Sequence, residues 1–284
     1  MTTNGSPTLH RRRLGRELRR LRDAANRTMD EVAEHLECSA AKISRIENGH
    51  SPVLGRDVRD MVQLYDASAG VRDALVELAK ATKRQGWWHR YADAMPDYFP
   101  TFVGMEADAA SERDYAPLVV PGLLQTPSYA RELMLADIDA DPKQVERALE
   151  LRMERQKRLT DPDKPLFLQV ILDEAVLNRP VGGGRIMLEQ LTHLAEMAHR
   201  PNVRIYVIST GAGAYPGIGT PFIVLNFPEE DDEGIVYLEQ QASALYVEAP
   251  DDVARYKLIV EKMREIASGW RESAELLESM SDSS

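Results

Sequence analysis

Asp173, Glu174 and Glu239 fall at the ends of predicted strands, where carboxylates can do acid–base work, but none has a visible partner, so they read as structural or exposed groups. His193 and His199 stand six residues apart, on different sides of a helix, and cannot form a two-histidine metal grip. Cys38 is the single cysteine, which excludes an intrachain disulfide and a cysteine-based zinc site. Gly182, Gly183 and Gly184 precede a predicted helix and read as a strand-to-helix loop in preference to an anion cradle. Gly211, Gly213, Gly217 and Gly219, with Pro216 and Pro221, form a flexible loop that either covers a pocket or is only a loop. The acidic run from Glu229 to Gly234 lacks calcium-loop spacing and reads as a solvated hairpin tip. There is no G-x-S-x-G elbow, no phosphate loop and no H-E-x-x-H. The expectation is a protein with no catalytic residues, no cofactor and no metal.

What remains is the chemistry of charge. The 284 residues carry a net charge of -11, which disfavours nucleic acid only if it is evenly spread. Through residue 90 there are 17 basic against 12 acidic residues, a balance of +5; beyond it there are 18 against 34, a balance of -16. A basic head on an acidic body is the pattern of a nucleic-acid-binding module joined to a domain that does not bind it. No apolar run reaches the ~18 residues of a membrane span, and the basic N-terminus has no apolar leader core, so a cytoplasmic protein is expected.

The elements that position the basic residues follow from apolar spacing. Leu14, Leu18, Leu21 and Ala25 lie on one face of a first helix. Thr28 and Glu31 form a capping box opening a second helix, whose inward stripe is Met29, Val32, Ala33 and Leu36. Ser39 caps a third, with Ile43 and Ile46 inward, and Asn48-Gly49 ends it in residues that tolerate left-handed backbone. Ala33 allows the second and third helices to cross closely. Stripes at Leu54, Val58, Met61, Tyr65 and at Val71, Leu75, Leu78, Thr82 bring the count to five helices. A short helix, a tight turn and a second short helix make a helix-turn-helix, whose second helix enters the major groove.

The run TMDEVAEHLECSAAKISRIENG, from Thr28 to Gly49, resembles the XRE family of helix-turn-helix regulators, most specifically in its tail ISRIENG. Glu37 stands where that family usually has glycine, at a cost of ~1 kcal/mol if the backbone there is left-handed. The resemblance implies DNA contact by Ser39, Ala40, Ala41, Lys42, Ser44 and Arg45, with Met29 at the start of the second helix. Among these, Arg45 can make a bidentate contact to guanine O6 and N7, whereas Ala40 and Ala41 offer only methyl contact with thymine. Lys42, Asn48, His50 and the first amides of the second helix would hold phosphates. The arginines at 11, 12, 13, 16, 19 and 20 are expected to face solvent, with occasional phosphate contact. The same resemblance implies an ion pair between Arg22 and Glu47 that pins the reader helix.

Gly86-Trp87-Trp88-His89-Arg90-Tyr91 needs burial and is expected to form a packed junction. The expected divisions are 6–84 for the head, 85–97 for the aromatic junction and 98–280 for the body. In the body, strands are predicted at 116–120, 166–172, 203–208, 222–227, 235–238 and 244–247, with helices at 128–136, 142–159, 185–199 and 251–280. Strand-helix-strand order in the middle predicts a parallel pair, and the closely spaced last strands predict hairpins. The expected fold is α + α/β: a five-helix helix-turn-helix domain followed by a mixed-sheet α/β domain with flanking helices.

VPGLLQT at Val120 to Thr126, with Tyr129-Ala130, Asp173-Glu174-Ala175 and Leu177, resembles the domain of unknown function that follows the XRE head in actinomycete regulators of the WhiJ type. That likeness implies a transcription regulator whose body receives a signal, and a relationship with a small companion protein likened to antitoxin and toxin. The expected partners are double-stranded DNA with an inverted-repeat operator and a second copy of the chain. A small companion protein and a small-molecule effector, the latter on a decayed enzyme-like domain, are the alternative partners of the body.

Overall fold

The computed structural model describes residues 6–49, 51–83, 85–229 and 232–282; His50, and Glu230 and Asp231 of the acidic run, lie outside the described residues. The chain divides into two units, one of Met1–Arg90 with Val103–Asp108 and the other of Tyr91–Phe102 with Ala109–Ser284.

The first unit begins with Ser6 accepting the Leu9 N–H and Pro7 at the first helical position, which together start α1 (Pro7–Ala24). It continues with α2 (Met29–His35), α3 (Ala40–Glu47), α4 (Gly55–Leu64) and α5 (Ala69–Ala81). Leu14, Leu18, Val32, Ile43, Ile46, Val58, Met61 and Val62 are fully buried in one core. Two residues read as inward-facing are not. Met29, the first residue of α2, and Leu54, the N-cap of α4, are 40% and 42% exposed.

Four successive helices end the same way. Asn26, Glu37, Gly49 and Asp66, just past α1, α2, α3 and α4, have φ of 54°, 50°, 69° and 54°. After α1 the Arg27 N–H reaches the Arg22 carbonyl, after α2 the Cys38 N–H reaches Ala33, and after α4 the Ala67 N–H reaches Val62. These six-residue closures satisfy carbonyls that the helix leaves open and turn the chain sharply. The left-handed turn at Glu37 is therefore made by a residue with a Cβ.

The second unit is built on a six-stranded mixed sheet, β1 (Ser111–Ala116), β2 (Phe167–Asp173), β3 (Val203–Ile208), β4 (Phe222–Asn226), β5 (Ile235–Glu239) and β6 (Ala244–Val247), in the order β3-β2-β1-β4-β5-β6. The first three strands are mutually parallel and the last three antiparallel. The remaining helices are α6 (Phe99–Asp108), α7 (Pro127–Leu135), α8 (Pro142–Gln156), α9 (Glu174–Leu177), α10 (Gly184–Ala198), α11 (Pro250–Ile266) and α12 (Trp270–Asp282). The α + α/β class expected from the sequence is what the chain adopts.

Several elements differ from the sequence reading, the short α9 after β2 among them. The first strand is Ser111–Ala116, not 116–120: it is central and paired on both sides, yet its Ser-Glu-Arg-Asp stretch hides it from any search for apolar runs. Helix α6 carries no clear apolar stripe and was not expected. The single terminal helix is two, broken where Ala267 turns extended; the Ser268 N–H then bonds the Val207 carbonyl and the Val207 N–H bonds Ser273 Oγ. That break seats α12 on backbone groups of β3, an edge strand that would otherwise be open to pairing.

Candidate nucleic-acid interface

α3 has one apolar face and one polar face. Ile43 and Ile46 are 0% and 1% exposed and face the core. Ala41 and Arg45 are exposed, and Ala40, Lys42, Ser44 and Asn48 are half-buried. Ser39 is exposed and caps the helix, accepting the Lys42 N–H at 3.2 Å. Met29, at the first turn of α2, is exposed as well. Lys42 Nζ lies 3.6 Å from Asp57 at the start of α4, so its charge is shared with a carboxylate of the same unit. Asn48 Nδ2 donates to Ser44 Oγ at 3.4 Å.

Two features fix α3 from behind. The Arg22 guanidinium meets the Glu47 carboxylate side-on, with Nε to Oε1 at 2.7 Å and Nη2 to Oε2 at 3.0 Å, and Nη1 also donates to the Arg27 carbonyl at 2.9 Å. The side chains are 9% and 3% exposed, so the pair is dry and its two parallel hydrogen bonds set orientation as well as distance. The bond to Glu47 holds the Arg22 guanidinium above its ordinary range against the opposing effect of burial. Tyr65 beside the pair has its hydroxyl pushed up, first by burial and then by the Glu47 charge.

The second feature is a close approach of α1 to the end of α3. A Cβ on Gly15 would lie 2.4 Å from the Glu47 carbonyl oxygen and 2.5 Å from that of Ile46. One on Gly49 would lie 2.8 Å from the Arg12 Cα. A glycine in mid-helix costs about 1 kcal/mol relative to alanine. Its presence at position 15 was the one sequence signal of this contact, and the apolar pattern did not use it. The crowding also corrects the arginine reading: Arg12 is 4% exposed and Arg11, Arg13 and Arg16 are half-buried, leaving Arg19 and Arg20 exposed. Burial holds the Arg11 guanidinium below its ordinary range.

α2 is held at its start by the reciprocal bonds of Thr28 and Glu31, with the Glu31 N–H donating to Thr28 Oγ1 at 3.2 Å and the Thr28 N–H to Glu31 Oε2 at 2.7 Å. The Thr28 backbone bond is the chief cause that holds the Glu31 carboxyl below its ordinary range. Of the first amides of α2, these bonds take up the Glu31 N–H.

Asp173, Glu174 and His199, among the chemically suggestive residues of the second unit, have structural partners. Asp173 accepts the Ala175 N–H at 2.9 Å, capping α9, and the Tyr215 hydroxyl at 2.8 Å. Glu174 accepts from the Thr210 N–H, the Thr210 hydroxyl and the Ser209 hydroxyl, which keep its carboxyl below the ordinary range. Gly183, with φ of 89°, is the residue before α10. His199 meets Glu278 at 2.6 Å. Among the described residues, no group of three or more potential ligands could hold a metal ion, and no helix is long and apolar enough to cross a membrane.

Comparison with known families places two matches on this frame. Residues 13–75 match the family model described as a helix-turn-helix domain, and residues 99–279 match the domain of unknown function DUF5753. The chain matches no curated protein and no solved structure. A helix-turn-helix head of this kind is a DNA-binding module, and the chain is accordingly read as a DNA-binding regulator.

Proposed function

We propose that this chain, which belongs to the DUF5753 family, is a sequence-specific transcriptional regulator of XRE type that binds an inverted-repeat operator as a homodimer. The observation that carries this reading is the outward face of α3: Arg45 is exposed on a helix whose other side is clamped by the Arg22–Glu47 pair. A guanidinium held on a rigid helix can choose guanine by its paired O6 and N7 acceptors. Ser39, Ala40, Ala41, Lys42 and Ser44 lie with it on the approach to the bases, and Met29 flanks them from α2. Asn48, and His50 outside the described residues, join Lys42 at the phosphates. Two copies would set their reader helices in successive major-groove turns, ~34 to 36 Å apart. Binding of this kind blocks or adjusts access of polymerase to a promoter in the cytoplasm.

The body receives the signal in this reading. Its excess of acidic residues, -16 beyond residue 90, favours a small basic companion protein over a second nucleic-acid site, an antitoxin-like relationship in which the partner alters DNA affinity. Reciprocity requires DNA to alter partner affinity by the same factor. Sequencing of genomic fragments retained by the purified chain tests the reading. The expected result is enrichment of one inverted repeat; recovery of fragments without any shared motif contradicts it.

A further inference from the structure

The second unit contains a cavity of about 530 Å³ on one side of its sheet, between α8 and the first turn of α6. That size lies within the usual span of small-molecule sites, about 300 to 1,000 Å³. One wall is aromatic. Tyr98 and Phe99 precede Phe102, whose ring stacks on Tyr237 with centroids 4.3 Å apart; the Tyr98 carbonyl is tied to the Tyr246 hydroxyl at 2.9 Å.

The cavity's lining carries charged groups of both signs. Arg152 and Arg155, on one face of α8, enter from one side. Arg155 is 6% exposed, with its guanidinium 5.2 Å and 5.4 Å from the Phe99 and Phe102 ring centroids, and Arg152 Nη1 donates to Gln125 Oε1. Both guanidiniums border Gly122: a Cβ there would lie 3.7 Å from Arg152 Nε and 3.7 Å from Arg155 Nη1. Glu239, the last residue of β5, also lines the space; its carboxyl is exposed to water, yet surrounding protein holds it above its ordinary range against the pull of both arginines. Asp114 and Asp137 also line the space, so three carboxyl groups share it with two guanidiniums.

We propose that this cavity binds a small zwitterion with an apolar body, of amino-acid to dipeptide size, its carboxylate toward Arg152 and Arg155 and its ammonium toward Glu239. A ligand bearing one charge complements groups of one sign alone, whereas a zwitterion complements both and leaves its apolar part to the aromatic wall. The inference deepens the reading that the body receives a signal, and its test uses no DNA, so its outcome is independent of operator binding.

The test is calorimetric titration of the full chain with phenylalanine and the dipeptide Leu-Phe as zwitterions, and with 3-phenylpropionate and 2-phenylethylamine as matched probes carrying one charge. At least one zwitterion should bind at least tenfold more tightly than either single-charge probe. Glu239→Gln, a change at an exposed carboxyl, should cut that affinity about tenfold, and Gly122→Leu, which fills the space beside the guanidiniums, should abolish it. Should Gly122→Leu fail to fold, Glu239→Gln decides. No binding of either zwitterion at millimolar concentration, equal binding of all four probes, or zwitterion affinity unchanged by Glu239→Gln overturns the proposal.

Discussion

Arg45 and Glu47 are neighbours on α3 with opposite tasks. Arg45 is exposed and pairs with no carboxylate among the described ion pairs, whereas Glu47 is 4% exposed and committed to Arg22. Removing Glu47 takes the side-on partner from a buried guanidinium and leaves it the exposed Asp23 carboxylate at 2.7 Å and the Arg27 carbonyl; breaking a buried pair costs up to about 3 to 5 kcal/mol. Glu47→Ala should therefore lower the stability of the first unit by that order, read as a lower denaturant midpoint, while Arg45→Ala leaves the midpoint unchanged. A Glu47→Ala protein as stable as the parent would show that the pair does not pin the helix. The two side chains differ in one respect that sequence spacing alone carried, since positions 43 and 46 face inward and position 45 does not. The partner of Glu47 was not legible from periodicity. Arg22 is 25 residues away, and only family resemblance pointed to it.

At the level of the element, the head was legible because its helices announce their own ends. Thr28 with Glu31, and Ser39 before α3, are caps whose chemistry is local, and local chemistry can be read residue by residue. β1 and α6 lacked such signals. A central strand reading Ser-Glu-Arg-Asp-Tyr-Ala is stabilised by two neighbours far away in sequence, so nothing in its own composition declares it. Two element-scale predictions follow from the caps and turns. Glu37 holds a φ of 50° at a cost glycine does not incur, so Glu37→Gly should raise stability by about 1 kcal/mol in equilibrium denaturation; a loss of stability would mean the turn is not strained. The second concerns pH. Because the folded pKa of Glu31 is depressed, its contribution is fully present above the unfolded value and is lost as pH falls through the folded one. Thermal melting should show this acid loss, and Glu31→Gln should flatten the dependence over that window; an unchanged profile would remove the capping box from the account.

For the whole molecule the decisive quantity is the separation of charge along the chain. In the proposed complex the basic residues behind the excess of +5 through residue 90 meet phosphates, so binding should weaken steeply with added salt, while the -16 beyond it limits affinity at low salt. A homodimer on an inverted repeat adds a geometric demand. Inserting about 5 base pairs, half a helical turn, between the half-sites should abolish tight binding and reinserting a full turn should restore part of it, measured by fluorescence anisotropy. Affinity indifferent to spacing would point to independent monomers. Overall composition conceals this division: the net charge of -11 alone suggests the opposite conclusion, and only the distribution of charge along the sequence reverses it.

The central claim is that Arg45 reads sequence from a helix held in place by Arg22 and Glu47. Its most direct test is the affinity of the parent chain and of Arg45→Ala for the selected operator and for a random duplex, at one fixed salt concentration. The account predicts a loss of about 1 to 3 kcal/mol on the operator with little change on the random duplex. An equal loss on both, or no loss on the operator, would contradict it.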